Sequence, residues 1–185
     1  MVNNLEYGPV DYFAVLPFNK DSEKMIEIQD SASARIGYIQ RNYTRTLDKV
    51  LNYVPFSVQG TLTVLGETDG SSLKIMQQSF KSTLFKLKWD VHLTGDGKED
   101  VFLLEDRTKI TTNPRMRYHK NANNYLFKRD SFNRTCNIYA NDSTTICAFV
   151  SVEKLLPAHL KISLNTKDLT ISEVLAVYYM MSILY

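Results

Sequence analysis

Thr170-Ile-Ser-Glu-Val-Leu-Ala-Val-Tyr-Tyr-Met-Met-Ser-Ile-Leu-Tyr185 is the stretch that decides the architecture. Thr170 and Glu173 have the spacing of a capping box, in which the Thr hydroxyl accepts from a free helix N–H and the Glu reaches back to the cap. Beyond Glu173 the segment has no polar face at any helical period. A helix that is apolar all round is enclosed by protein or embedded in lipid. Residues 170–185 would extend only about 24 Å as a helix, short of the roughly 30 Å hydrocarbon core of a bilayer. Enclosure is therefore the expectation for helix 170–185, which makes this segment the core around which the rest must wrap. A protein cut after Asp168 should then fail to fold.

Working outward, what precedes the helix reads as strands. Phe85, Leu87, Trp89, Val91 and Leu93 alternate with Lys86, Lys88, Asp90 and His92, the period of two that buries one face of a strand and wets the other. Thr94 to Lys98 reads as a loop somewhat longer than the tightest hairpin turn, with Val101 to Glu105 returning beside the first strand. Further strands are expected at Tyr12–Leu16, Met25–Gln29, Ile36–Gln40, Gln59–Leu65, Leu73–Ser79, Arg107–Thr111, Arg115–His119, Tyr125–Arg129, Thr135–Tyr139, Thr145–Val152 and Leu160–Leu164. Short strands at 8–12-residue spacing with turn residues between them suggest a meander that curls into a barrel. One segment differs: Leu47, Val50, Leu51 and Val54 recur at helical spacing before Pro55, which predicts a short amphipathic helix over 47–54.

The 185 residues and 44% apolar content suit one domain, 1–185, with a sizeable core. The first residues lack the basic and apolar runs of a signal peptide, which places the chain in the cytoplasm. The glycosylation triplets at Asn42, Asn133 and Asn141 are then read as accidents of composition. Cys136 and Cys147 are too few for a metal cluster. A hairpin turn at Asn141-Asp142 would set them opposite each other, although a reducing compartment favours two free thiols. Charge is uneven: residues 81–134 hold 12 basic and 7 acidic side chains, whereas residues 1–80 hold 7 and 9. Such a basic middle suits an anionic partner, and equally a solvated strand face.

Val101-Phe-Leu-Leu-Glu-Asp-Arg-Thr-Lys109, Arg134-Thr-Cys-Asn-Ile-Tyr-Ala-Asn-Asp142 with Thr145 to Val150, and Leu169 to Tyr185 together resemble the tubby C-terminal-like superfamily, which includes plant LURP-one-related proteins and phospholipid scramblases. The resemblance covers residues 56–185 and extends more faintly over the whole chain. It implies an α+β, mainly β fold: a closed antiparallel barrel of about twelve strands around a buried hydrophobic C-terminal helix. It also implies a binding role, since tubby proteins bind phosphoinositides through basic side chains outside the barrel. These are patterns of fold rather than active-site motifs. The palmitoylated cysteine run and calcium segment of scramblases have no counterpart here, which argues against lipid transport.

Catalytic chemistry finds little to work with. His92, His119 and His159 are far apart in sequence and form no metal-binding spacing, and no nucleophile elbow, phosphate loop or dinucleotide fingerprint occurs; Gly66 and Gly70 read as turn residues. Glu99-Asp100 and Glu105-Asp106 are strand neighbours that point to opposite faces. No catalytic residue, cofactor or metal is expected. The candidate ligand-binding set is Arg107, Lys109, Arg115, Arg117, His119 and Lys120. Arg107 and Lys109 share one face of their expected strand, as do Arg115, Arg117 and His119, and the Asn113-Pro114 turn would bring the two rows together. Arg binds phosphate oxygens in bidentate fashion, so such rows suit an anionic headgroup. The expected function is thus a non-enzymatic module for phosphoinositides or an anionic membrane surface. In the blander reading Glu105 and Asp106 simply offset these charges in solvent. The alternative function is a protein-interaction or structural domain that self-associates through an exposed barrel edge. Nucleic acid is not expected, because a pI near 8.4 is below the strongly basic range and no aromatic and basic interleaving of an RNP type is present.

Overall fold

Alternation of apolar and polar residues folds most of this sequence into strands whose inner faces are too apolar for water and too numerous for a flat sheet, and the solution adopted is closure. The structure, a computed structural model, describes residues 9–19, 22–43, 62–68, 70–78, 87–111, 113–130, 132–141 and 143–185. Twelve strands follow in order: β1 (Val10–Leu16), β2 (Ile26–Asp30), β3 (Arg35–Tyr43), β4 (Leu62–Thr68), β5 (Ser71–Gln77), β6 (Lys88–Gly95), β7 (Lys98–Asp106), β8 (Arg115–Lys120), β9 (Asn123–Asp130), β10 (Thr135–Ala140), β11 (Ile146–Leu155) and β12 (Ala158–Leu164), and α1 (Ile171–Leu184) completes the fold. Each strand pairs antiparallel with its sequence neighbour, and β1 pairs β12 with Val10 opposite Leu164, so the barrel is closed. Closure leaves no strand edge open among the described residues, which overturns the expectation that copies associate through one.

The helix is the core, as its sequence required. Residues 171–181 are all buried, including Ser172 and Glu173. The capping box forms with the expected partners: Glu173 N–H donates to Thr170 Oγ1 (3.3 Å) and Thr170 N–H donates to Glu173 Oε2 (2.7 Å). Around it, inward side chains such as Ile39, Trp89, Tyr118, Phe127, Ile138 and Ile162 are at most 1% exposed. No helix among the described residues is long and apolar enough to cross a membrane.

Several local expectations change. The loop in the β6–β7 hairpin is a two-residue turn, because Gly95 pairs Lys98 and both Asp96 and Gly97 adopt positive φ, the conformation of the tightest hairpins. Gly66 lies inside β4, where a Cβ would meet the Ile39 side chain at 3.2 Å; Gly70, with φ +76, is indeed in a turn. Cys136 faces Val150 rather than Cys147, because the β10–β11 connection, 141–145, is longer than a two-residue turn and a register shift past Tyr139 displaces the pairing by one more residue. Both thiols are free. The expected strand Arg107–Thr111 is instead the connection between β7 and β8. The Asp106 carboxylate accepts from Thr108 N–H (2.8 Å), which turns the chain out of the ladder just after Arg107 N–H makes its last link to Arg115 O (2.8 Å). The helix expected over 47–54 lies outside the described residues.

Candidate functional site

Strand direction sorts the barrel into two ends. Helix α1 starts at the end carrying the β2–β3, β4–β5, β6–β7, β8–β9 and β10–β11 turns, and it finishes at the end carrying the other six connections. The six candidate cations divide between these ends and the outer wall.

Arg107, Lys109 and Arg115 meet at the helix-finish end. With Ile110 and Asn113 they line a cup of about 210 Å³ in the β7–β8 connection. The loop is fixed locally: Thr108 Oγ1 accepts from Arg115 N–H (2.9 Å), Asn113 N–H donates to Ile110 O (3.0 Å), and Arg129 N–H donates to Pro114 O (3.0 Å). The core reaches it too, because the Tyr185 hydroxyl at the end of α1 donates to Asp106 Oδ2 while Asp106 Oδ1 holds Thr108. Burial and then the Asp106 carboxylate push the Tyr185 hydroxyl well above the usual tyrosine range, so it remains a donor.

Arg117 and His119 lie further down the outer wall of β8, alternating with inward Met116 and Tyr118. Arg117 stands directly across from Glu105. Glu105 is the hub of this wall: Lys88 Nζ lies 2.8 Å from its Oε1, Arg107 Nη2 2.6 Å from its Oε2, and His119 Nε2 3.6 Å away. Burial pushes the Glu105 carboxyl up, but Lys88 and Arg107 outweigh it and hold the group below the usual carboxylate range. One carboxylate thus serves several cations, and Asp106, the other expected counter-charge, is engaged with Tyr185 and Thr108. Lys120 is elsewhere. Its Nζ lies 2.9 Å from Glu173 Oε2 and donates to Asp168 O (2.7 Å), pinning the start of α1 at the opposite end of the barrel.

Parity explains this division. Arg115, Arg117 and His119 are odd-numbered in β8 and face out, whereas Lys120 follows the inward-facing Met116 and Tyr118. Sequence reasoning missed Lys88 and Asn113. Lys88 was readable in principle, because a two-residue turn at Asp96-Gly97 sets it opposite Glu105. Asn113 carried no signal beyond its turn chemistry.

The cup offers cationic and amide donors to an oxyanion. Burial pushes the Cys136 thiol up to about 12 and the Cys147 thiol up to about 11, away from the thiolate that reacts. Among the described residues no group of three or more His, Cys, Asp or Glu side chains is placed to hold a metal ion.

The chain is thus a closed barrel threaded by its own C-terminal helix, with a cationic cup at one rim. The chain belongs to the Tubby C-terminal like domain family, which it matches over residues 12–185. A crystal structure of an Arabidopsis thaliana protein is similar in outline, at 13% identity and a TM-score of 0.42, covering 96% of this chain and 91% of that one. No curated protein sequence matches this chain.

Proposed function

We propose that the chain is a non-enzymatic binding module for an anionic headgroup, a phosphoinositide or another anionic phospholipid, taken in the Arg107/Lys109/Arg115 cup by a protein of the cytoplasm that docks peripherally on membranes. The observation that carries this reading is the convergence of three cations and the Asn113 amide on a cup of about 210 Å³, large enough for phosphate groups and rich in the donors they need. Membership of a family whose domains bind phosphoinositides supports it. Arg117 on the adjoining wall adds positive charge beside Glu105 and steers an anion toward the rim. Lys120, held by Glu173, has a structural role in this reading.

Titration calorimetry with a soluble inositol polyphosphate tests the proposal. Binding should weaken steeply as salt rises and fall about tenfold or more in Arg107→Gln/Arg115→Gln, because two charge-assisted contacts are lost. Arg117→Gln should act more weakly. Absence of heat with wild-type protein at low salt, or binding indifferent to the Arg107/Arg115 pair, refutes the proposal.

A further inference from the structure

The rim that carries the cup also carries apolar side chains in water. Seven of the nine exposed large hydrophobic residues among those described lie at this end. Isolated exposed apolar residues are ordinary on protein surfaces; their collection at one end of a barrel is not. Phe18 and Met25 belong to the β1–β2 connection, Leu155 and Leu156 to the β11–β12 hairpin, Phe132 to the β9–β10 turn and Ile110 to the β7–β8 loop. Because the strand order runs β2, β1, β12, β11, β10, β9, β8, β7 around the wall, these are four consecutive connections on the rim. Adjacent hairpins in such a sheet are about 10 Å apart, twice the spacing of neighbouring strands.

The two most exposed, Phe18 and Phe132, are each 80% accessible. Phe132 is held out by design of its turn: the Asp130 carboxylate accepts from Phe132 N–H (2.9 Å), Asn133 N–H (3.0 Å) and the Asn133 amide (2.7 Å). A ring fixed in water by its backbone bears its hydration cost until something apolar covers it. Exposed Lys24, Arg107, Lys109, Arg115, Arg134 and Lys154 accompany the tips, against exposed Glu23, Glu27 and Glu153. Apolar tips interleaved with an excess of cations match an anionic lipid surface, where rings enter the acyl boundary and ammonium and guanidinium groups stay among headgroups.

We propose that this rim inserts shallowly into an anionic bilayer, with Phe18, Ile110, Phe132 and Leu156 as the entering side chains. The inference rests on the headgroup reading of the cup and adds to it the orientation of docking: the barrel axis stands toward the membrane, and the start of α1 faces away.

Vesicles of phosphatidylcholine alone and of phosphatidylcholine with phosphatidylserine decide the matter, using the full chain. Phe18→Ser/Phe132→Ser should reduce partitioning onto the anionic vesicles by about tenfold per ring and leave the binding of soluble inositol polyphosphate unchanged. In Phe132→Trp the new indole should be quenched by brominated lipid in anionic vesicles, while the buried Trp89 of the wild type, 0% exposed, should not. Partitioning unaffected by the serines, or an unquenched Trp at 132, overturns insertion and leaves the cup untouched. Soluble headgroup binding without any vesicle binding overturns it likewise. Dissociation of a dimer by the two serines, measured by sedimentation, would identify the rim as a protein interface and also overturn the proposal.

Discussion

The two ends of the barrel are built from the same hairpins and have opposite characters. At the end where α1 begins, the connections are tight and polar: Asp96-Gly97 and Asn121-Ala122 each join their strands in two residues. Several side chains there look inward to the start of α1. Tyr118 Oη donates to Glu173 Oε1 (2.6 Å), Lys120 Nζ pairs with Glu173 Oε2, and Thr68 and Ser172 hydroxyls lie 3.5 Å apart. Glu173 has no exposed side-chain area, and Tyr118 and Lys120 supply hydrogen bonds to it in place of water. At the other end the helix carbonyl of Met181 accepts from Arg129 Nη1 (3.2 Å) and Tyr185 braces Asp106, but Phe18, Ile110, Phe132 and Leu156 face water. One end spends its polar groups on holding the helix; the other presents cations and apolar side chains to whatever lies outside. The difference teaches that charge in this protein must be read by the direction it faces. Lys120 and Arg129 come from the same basic stretch as Arg107 and Arg115, yet they serve the core.

This contrast can be broken by measurement. The largest effect should come from ending the chain after Asp168, which removes what both ends are organised around; no cooperative thermal transition is expected, and a sharp one would show that the barrel stands without its helix. Next, Glu173→Ala strands Lys120 and Tyr118 and deletes the capping box, and should cost about 3–5 kcal/mol in urea unfolding. The matching change at the other rim, Phe18→Ser/Phe132→Ser, should stay within about 0.5 kcal/mol per site. Comparable losses at both rims would erase the distinction between a structural end and a presenting end.

Alkaline titration sharpens the same point. Burial, and then the Glu173 charge, raise the Tyr118 hydroxyl above its ordinary value of 10.0. Such a group contributes stability that is complete below the unfolded pKa and is lost as pH rises toward the folded one. Unfolding free energy should therefore decline above about pH 10, and the decline should be shallower in Tyr118→Phe, which lacks the ionising group. Arg107→Gln/Arg115→Gln should leave that profile unchanged. At the acid side, Glu105 is held below the usual carboxylate range, so its contribution is present at neutral pH and lost as pH falls through its folded pKa. The smallest effect concerns the thiols: both should react slowly with a thiol reagent at pH 8 in the native state and rapidly in denaturant, Cys136 more slowly than Cys147 because it is fully buried.

Much of the fold was readable because alternation and helix capping are local. The capping box, the apolar segment and the faces of β6 and β8 follow from side-chain periods within a few residues. Arg107–Thr111 misled because the local stop signal is Asn113-Pro114, and nothing local announces that the Asp106 carboxylate will fold back onto Thr108. The site was readable in part. Arg107, Lys109 and Arg115 were named correctly as neighbours, but through a pairing of two strands that does not exist; a loop joins them instead. Lys120 was grouped by proximity when its parity already set it on the inner face.

By itself, the sequence determined that a helix apolar on every side must be covered and that alternating strands must cover it, since both are consequences of keeping apolar surface from water. Tertiary structure alone decided where each strand ends, how β10 and β11 slip past each other, and which loops share a rim. Those outcomes depend on contacts between residues far apart in sequence, and closure of the barrel fixes all of them together.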